Sequence, residues 1–303
     1  MGEVKKYQHL IPRVYMKQWQ SRIEENTNKN KEVYVYKYDK DKLFETGEEV
    51  NTRKIGGIEN FYTITKNNLF INDEDMLRIS NGETRILDIE DGWKEKLEDS
   101  WEHVIKKVHN DILGTNKKSI PEVRKQEIID FLVCMKYRGF KGLDKVRIYI
   151  IQSIWFLRLG ENFTEVMMKY YAMDDKYIKN HLLSDMRKFL EKDESSFIYK
   201  ECKLYKDNTV IVFNIAPEGV EFLTSDNPSF ECEIVTARTK GKVDLMPLSP
   251  KVLIMILRKN GNKSYKYKIN RVDREEVKQI NNIIVEESVN FVISSKSSVQ
   301  DLV

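Results

Sequence analysis

The chain has 303 residues, of which 41% are hydrophobic and 33% are charged, so it can bury a substantial core beneath a strongly solvated surface. Its 51 lysines and arginines nearly balance 48 acidic residues, and composition alone therefore does not indicate a nucleic-acid partner. Three well-separated cysteines argue against a disulfide framework, and the longest apolar run, residues 252–257, is too short to cross a membrane. The first residues also lack the apolar stretch of a signal peptide, so we predict a cytoplasmic protein with no membrane partner.

The N-terminal part, residues 1–80, is predicted to be rich in strands. Residues 7–19 are apolar and aromatic at short spacing, and Pro12 fits the first turn of a helix, where its missing N–H has no helical partner. Residues 32–38 and 61–64 have strand composition.

The middle part, residues 81–195, is predicted to be a helical block. Apolar residues recur at helical spacing from Trp93 to Ile112. Another helix is predicted to open at Pro121, with Ser119 as its N-cap and Val123 on its buried side. Three further helices are predicted at 147–159, 164–171 and 175–192.

The C-terminal part, residues 196–303, returns to strands, followed by a late helix near 274–288 and a short strand at 291–293. The predicted strands are 209–214, 220–224, 251–257 and 263–269. The whole pattern predicts the α+β class, with a helical block between two β-rich parts that are expected to form one mixed sheet.

Charge is unevenly distributed along the chain. Between Thr236 and Arg271 there are ten lysines and arginines and one acid, whereas residues 83–102 contain eight acids and three basic residues. Alternation in the last predicted strand places Lys266 and Lys268 on one face, which makes them candidate substrate-binding residues. The basic residues between Thr236 and Arg271 have two interpretations. They and the acidic stretch are oppositely charged faces that help solubility or dock on each other, or they form a basic strip that binds phosphates.

Three residues are candidates for catalysis. His9 has the right intrinsic pKa for acid–base work, although a histidine that anchors the N-terminal segment by a hydrogen bond to a backbone carbonyl is the alternative. Arg13 could stabilise phosphate charge or form a salt bridge to Glu98 or Asp226. Asp226 follows a predicted strand and could orient a water or a metal, or simply close a turn.

Three more residues are candidates for substrate binding. Glu98 borders the apolar stripe of its helix and is either solvated or paired with an inward arginine. Arg138 ends the helix predicted from Pro121, where a cation favours the helix dipole. Asn227 belongs to the same turn-forming segment as Asp226.

Several common sites are absent from the sequence. It has no Gly-x-x-x-x-Gly-Lys-Ser/Thr loop, no Gly-x-Gly-x-x-Gly after a strand and no Gly-x-Ser-x-Gly elbow. Asp226 and Glu231 partly match the paired carboxylates of restriction-type nucleases, but Glu233 stands where those enzymes usually have a lysine. We assign no metal ligands, and the sequence leaves the cofactor unknown.

A set of segments follows one order along nearly the whole chain: residues 8–19, 59–62, 131–138, 224–228, 247–250 and 289–293, together with Glu98 and Asn281. In this order they resemble the bacterial family known as domain of unknown function 4238. The resemblance implies one family unit over residues 1–303 and carries no established activity to these positions.

Three hypotheses follow about function. The first is a hydrolytic effector of bacterial defence that acts on phosphodiesters or nucleotides through His9, Arg13 and Asp226. The second is a module that binds nucleic acid or a small anion without catalysis, through Lys266, Lys268 and neighbouring cations. The third is a structural partner protein whose exposed aromatic residues mediate assembly, in an oligomeric state that the sequence leaves unknown.

Overall fold

The structure is a computed structural model. It describes residues 7–25, 31–59, 61–62, 89–157, 162, 165–166, 173–236, 239–258 and 266–303. The helix predicted at 164–171 falls mostly outside the described residues. Phe61 and Tyr62 form a turn, and the remainder of the strand predicted at 61–64 also lies outside.

The N-terminal part consists mainly of short strands. Its helical pieces are α1 (Arg13–Met16), which Pro12 precedes, and 3₁₀ turns at Lys17–Trp19 and Lys40–Lys42. The strands are β1 (Tyr7–His9), β2 (Arg22–Glu25), β3 (Lys31–Asp39), β4 (Glu48–Asn51) and β5 (Gly57–Glu59).

The helical block is confirmed, and its described residues include one strand and one π-helical segment, Lys94–Glu98. Its helices are α2 (Ile89–Trp93), α3 (Asp99–Leu113), α4 (Lys125–Arg138), α5 (Gly142–Leu157), α6 (Asp175–Leu190) and α7 (Phe197–Asn208). The strand is β6 (Ser119–Pro121).

The predicted start of the helix at Pro121 is wrong. Ser119 is no N-cap, because it pairs with Lys268 in an antiparallel ladder, and the helix begins only at Lys125. Val123 is 40% exposed instead of buried. The backbone hydrogen bonds offered by a strand distant in sequence therefore outweigh the local helix signal here.

The C-terminal part forms strands and the late helix α8 (Arg274–Glu287), as predicted. Two expectations for it are wrong: the helical block continues past residue 195 through α7, and the strand predicted at 220–224 is limited to Thr224–Ser225. Its strands are β7 (Thr209–Ile215), β8 (Thr224–Ser225), β9 (Phe230–Val235), β10 (Lys240–Ser249), β11 (Val252–Arg258), β12 (Lys266–Arg271) and β13 (Phe291–Ser294).

The described strands form three sheets. One has six strands in the order β6-β12-β7-β11-β10-β9, a second has β2-β3-β13-β8 with β4 also paired to β3, and β1 pairs with β5. Strands from both ends of the chain do share the second sheet, but most C-terminal strands form the six-stranded sheet. The expectation of one mixed sheet is thus corrected, because the hydrophobic strands β7 and β11 pair with each other and bury both faces of their own sheet.

Two hydrophobic cores lie on opposite faces of the six-stranded sheet, and alternation along β11 directs side chains to each. The first core joins this sheet to the helical block and includes Trp19, Trp93, Trp101, Phe213 and Ile254. The second joins it to α8 and β13 and includes Leu253, Phe222, Ile280, Val292 and Leu302.

The three cysteines are free thiols, as expected from their separation, and Cys134 and Cys202 are buried. Within the described ranges, none of the helices has the length and apolar character needed to cross a membrane.

Candidate functional site

Arg138, at the end of α4, is the centre of a buried polar network and is only 2% exposed. Its guanidinium donates to Glu98 Oε1 at 2.7 Å, to the Tyr62 hydroxyl at 3.1 Å and to the backbone oxygen of His9 at 2.7 Å. The guanidinium carbon also lies 5.4 Å from the Tyr62 ring centre and 5.0 Å from that of Trp93. This confirms the alternative in which Glu98 pairs with an inward arginine.

His9 lies in β1 and is half-buried. Burial and the nearby charge of Arg13 lower the pKa of His9, opposed by a hydrogen bond to the backbone of Thr52, so the imidazole is neutral at neutral pH. That backbone contact is the anchoring role considered as the alternative to catalysis.

Arg13, the first residue of α1, is half-buried. Burial and the like charge of Arg53 lower the pKa of Arg13. The salt bridge considered for Arg13 is not found in the described part of the chain, since Glu98 pairs with Arg138 instead.

Asp226 is completely buried directly after β8. Its carboxylate accepts from the backbone N–H of Val289 at 2.8 Å and of Asn290 at 2.7 Å, and from Asn290 Nδ2 at 3.0 Å. Burial raises the pKa of Asp226 despite these three donors. The contacts fix the segment between α8 and β13, and both carboxylate oxygens take part in them.

Asn227 is also completely buried and connects two further segments. Its Oδ1 accepts from Lys145 Nζ at 3.2 Å, and its Nδ2 donates to the backbone oxygen of Glu287 at 2.9 Å. Lys145 Nζ donates as well to the backbone oxygens of Lys136 at 2.9 Å and of Ser229 at 3.0 Å. Asn227 therefore orients a buried lysine that joins α5 to this loop.

Five of the residues selected from the sequence thus lie in two networks: His9, Glu98 and Arg138 in the first, and Asp226 and Asn227 in the second. Among the described residues, neither network includes Arg13. The Arg138 network holds β1 and the π-helical segment, while Asp226 holds the chain before β13. Phe140, just after α4, connects to the second network because its N–H donates to the backbone oxygen of Asp226 at 3.2 Å. In both networks, hydrogen bonds stabilise the buried charged groups. A catalytic role for His9, Arg13 and Asp226 stays a prediction.

Four lysines form a separate, exposed feature that we call the basic edge: Lys117, Lys118, Lys266 and Lys268. β6 is the outermost strand of the six-stranded sheet; Lys268 lies opposite Ser119, and the backbone oxygen of Lys118 accepts from Ile269 N at 2.9 Å. Lys266 and Lys268 share the face opposite the buried Tyr267 and Ile269, as the alternation predicted.

The charge of the basic edge is not neutralised locally. Among the described residues, none of its four ammonium groups has an acidic partner within 4 Å. The closest acids along the chain belong to other pairs, since Asp111 lies 3.6 Å from Lys107 and Glu122 lies 3.1 Å from Lys125.

Sequence reasoning missed two largely buried lysines, Lys136 and Lys145, because no motif marks them. Lys136 contacts Glu201 at 2.9 Å and Asp244 at 3.1 Å, and Asp244 in turn accepts from the Tyr205 hydroxyl at 2.7 Å. Lys145 is a second example, because burial and the charges of Lys136 and Lys141 lower its pKa to about 7. A single lysine in an amphipathic helix gives no signal that it will be buried. In the part of the chain that the structure describes, no three His, Cys, Asp or Glu side chains cluster as metal ligands would.

The fold and these contacts define an α+β protein in which the polar residues selected from the sequence connect distant segments. The chain belongs to the family described as Protein of unknown function (DUF4238), whose family model matches residues 7–298 and confirms the resemblance found in the sequence. Neither the curated proteins nor the solved structures contain a match to the chain.

Proposed function

We propose that the protein binds nucleic acid through the basic edge and does not cleave it. The observation that supports this function is the group of four exposed lysines, two in β12 and two directly before its partner strand β6, without acidic partners in the described chain. Lys266 and Lys268 are two residues apart in one strand, which separates them by about 6.6 Å. Two cations on one face of a strand can each contact a phosphate of the same nucleic-acid strand, and phosphate contacts supply most of the sequence-independent affinity.

Hydrolysis by His9, Arg13 and Asp226 has less support. Asp226 is completely buried with its carboxylate oxygens hydrogen-bonded to Val289 and Asn290, so a substrate could reach it only if the surrounding chain moved. The binding alternative requires no rearrangement, because its lysines already face solvent.

The proposal is tested by measuring the affinity for a fluorescently labelled duplex and a labelled single strand across a range of salt concentrations. Wild-type protein is expected to bind with a steep loss of affinity as salt rises. Replacing Lys117, Lys118, Lys266 and Lys268 with glutamine should flatten the slope by about 0.7 to 0.9 for each phosphate that the variant no longer neutralises. The matched control replaces four exposed lysines elsewhere on the surface with glutamine: Lys17, Lys42, Lys54 and Lys176.

Two results would contradict the proposal. The first is affinity that does not change with salt, and the second is an equal loss of affinity in the control variant. Following the length of the labelled strands in the same samples separates binding from hydrolysis. If the wild type shortened them and His9→Ala did not, the hydrolytic hypothesis would replace this one.

A further inference from the structure

A cleft of about 750 Å³ opens among α4, α6, α7 and the π-helical segment, on a different surface from the basic edge. This volume is within the range of small-molecule sites. Its walls combine cationic, acidic and aromatic side chains, among them Lys96, Asp130, Phe189, Lys192, Tyr199 and Lys206. The networks of Arg138 and Asp226 do not line it.

The π-helical segment Lys94–Glu98 forms one wall of the cleft. π-Helical turns are rare and frequently lie at functional sites. Here the turn places Lys96 and Leu97 along the cleft, while Glu98 pairs with the buried Arg138. Lys96 Nζ donates to the last carbonyl of α6, Leu190 O, at 2.6 Å, so a cation is held at the cleft wall.

Lys192 lines the cleft, and its backbone has a left-handed conformation that is unfavourable for lysine. It follows α6 with a φ of 61°, and its N–H donates to the Phe189 oxygen at 3.0 Å. Glycine or asparagine normally occupies this left-handed position after a helix, because a β-carbon is strained there. A lysine at this position is explained if its side chain, which lines the cleft, has a task that offsets the strain.

Lysines outnumber acidic residues among the side chains that line the cleft. Four lysines line it: Lys96, Lys192, Lys203 and Lys206. Three acids also line it, Asp130, Glu191 and Asp207, of which Glu191 forms an ion pair with Arg187 at 2.9 Å. Asp130 accepts from Gln126 at 2.5 Å, and burial raises the pKa of its carboxyl group. The remaining surface is apolar and includes the rings of Phe189 and Tyr199.

We infer that this cleft binds a nucleoside monophosphate, with the phosphate at Lys192 and Lys206, the planar base against Tyr199 and a ribose hydroxyl donating to Asp130. Lysine side chains bind phosphate as point charges, and aromatic side chains stack on bases. This site is independent of the proposed nucleic-acid surface, since the two share no residue.

Binding is tested by titrating AMP into the wild-type protein in a calorimeter, with adenosine and inorganic phosphate as separate probes. AMP is expected to bind at least tenfold more tightly than either fragment, because only AMP engages both the lysines and the ring. Lys192→Gly should weaken AMP binding about tenfold while raising the melting temperature, since it relieves the strained φ. A loss of fold cannot produce this combination of effects.

Arg124→Gly is the matched control, because Arg124 also has a positive φ, 56°, and does not line the cleft. It should raise the melting temperature with AMP affinity unchanged. The inference is overturned if AMP does not bind at millimolar concentration, if AMP binds no better than phosphate, or if Arg124→Gly weakens binding as much as Lys192→Gly. Replacing the four lysines of the basic edge should leave AMP binding intact, so failure of either site can be recognised separately.

Discussion

Among single residues, Arg138 shows most clearly how a buried charge is stabilised in this protein. It is almost fully buried, yet a carboxylate, a hydroxyl and a backbone carbonyl accept its hydrogen bonds. Removing one partner of such an ion pair leaves the other buried and uncompensated. We expect Arg138→Met to lower the free energy of unfolding in urea by about 3 kcal/mol.

The matched comparison is the double variant Arg138→Met with Glu98→Gln. If the ion pair carries the effect, the double variant should be less destabilised than the sum of the two single variants. Strict additivity would show instead that Arg138 acts only through packing against Tyr62 and Trp93.

Lys145 gives a prediction about pH. Its pKa in the folded protein is about 7, below the ordinary 10.5, so between these values the unfolded chain binds the extra proton. The contribution of Lys145 to the free energy of unfolding should therefore increase as pH rises from 7 towards 10. Lys145→Met lacks this gain, and the difference between wild type and variant, measured by urea unfolding, should grow in favour of the wild type between pH 7 and pH 9.5. Parallel pH profiles would refute the assignment.

These residues also show what the sequence could reveal about a site. Glu98 borders an apolar stripe, and this local pattern correctly indicated a polar group beside the core, whereas the turn-forming segment of Asp226 gave no sign of its complete burial. The partners could not be found in this way, because Arg138 reaches Glu98 across 40 positions and Asp226 reaches Asn290 across 64. Such contacts depend on tertiary packing, which periodicity does not encode.

Among the secondary-structure elements, β12 and β6 illustrate the same limit. Alternation was sufficient to assign opposite faces to Lys266 and Tyr267, since one face of this strand is buried and the other exposed. The three residues of β6 had no such signal, and Pro121 was interpreted as a helix start. Their structure depends on pairing with β12, which lies nearly 150 positions later in the chain.

The junction of α6 and α7 allows a test at this scale. Asp185 of α6 accepts from the backbone N–H groups of Phe197 at 2.9 Å and Ile198 at 3.1 Å, and so caps α7 from a neighbouring helix. Asp185→Asn turns a donor towards one of these N–H groups and should lower the free energy of unfolding by about 1 to 3 kcal/mol. Lys176→Gln, at an exposed position in the same helix, should change it by less than about 0.5 kcal/mol. Equal effects in the two variants would argue against the capping role.

For the whole molecule, the long-range order of strands is what the sequence least predicted. β13 pairs with β3 from the N-terminal part and with β8 from the C-terminal part, so one short strand connects the two β-rich ends. The composition of residues 291–294 indicated a strand but could not name its neighbours. Pairing over such separations is determined by which hydrophobic faces meet in the folded chain.

This connection leads to a prediction about cooperativity. Val292 of β13 belongs to the second core, whereas three of the four tryptophans (Trp19, Trp93 and Trp101) belong to the first. Val292→Thr buries a hydroxyl group and should destabilise the second core. If the two cores unfold as one unit, the urea midpoint measured by tryptophan fluorescence should fall as much as the midpoint measured by circular dichroism. Val289→Thr, at a position 40% exposed, should shift neither. A fluorescence midpoint that stayed in place while the other moved would show that the first core unfolds independently, and that β13 does not couple the two ends of the chain.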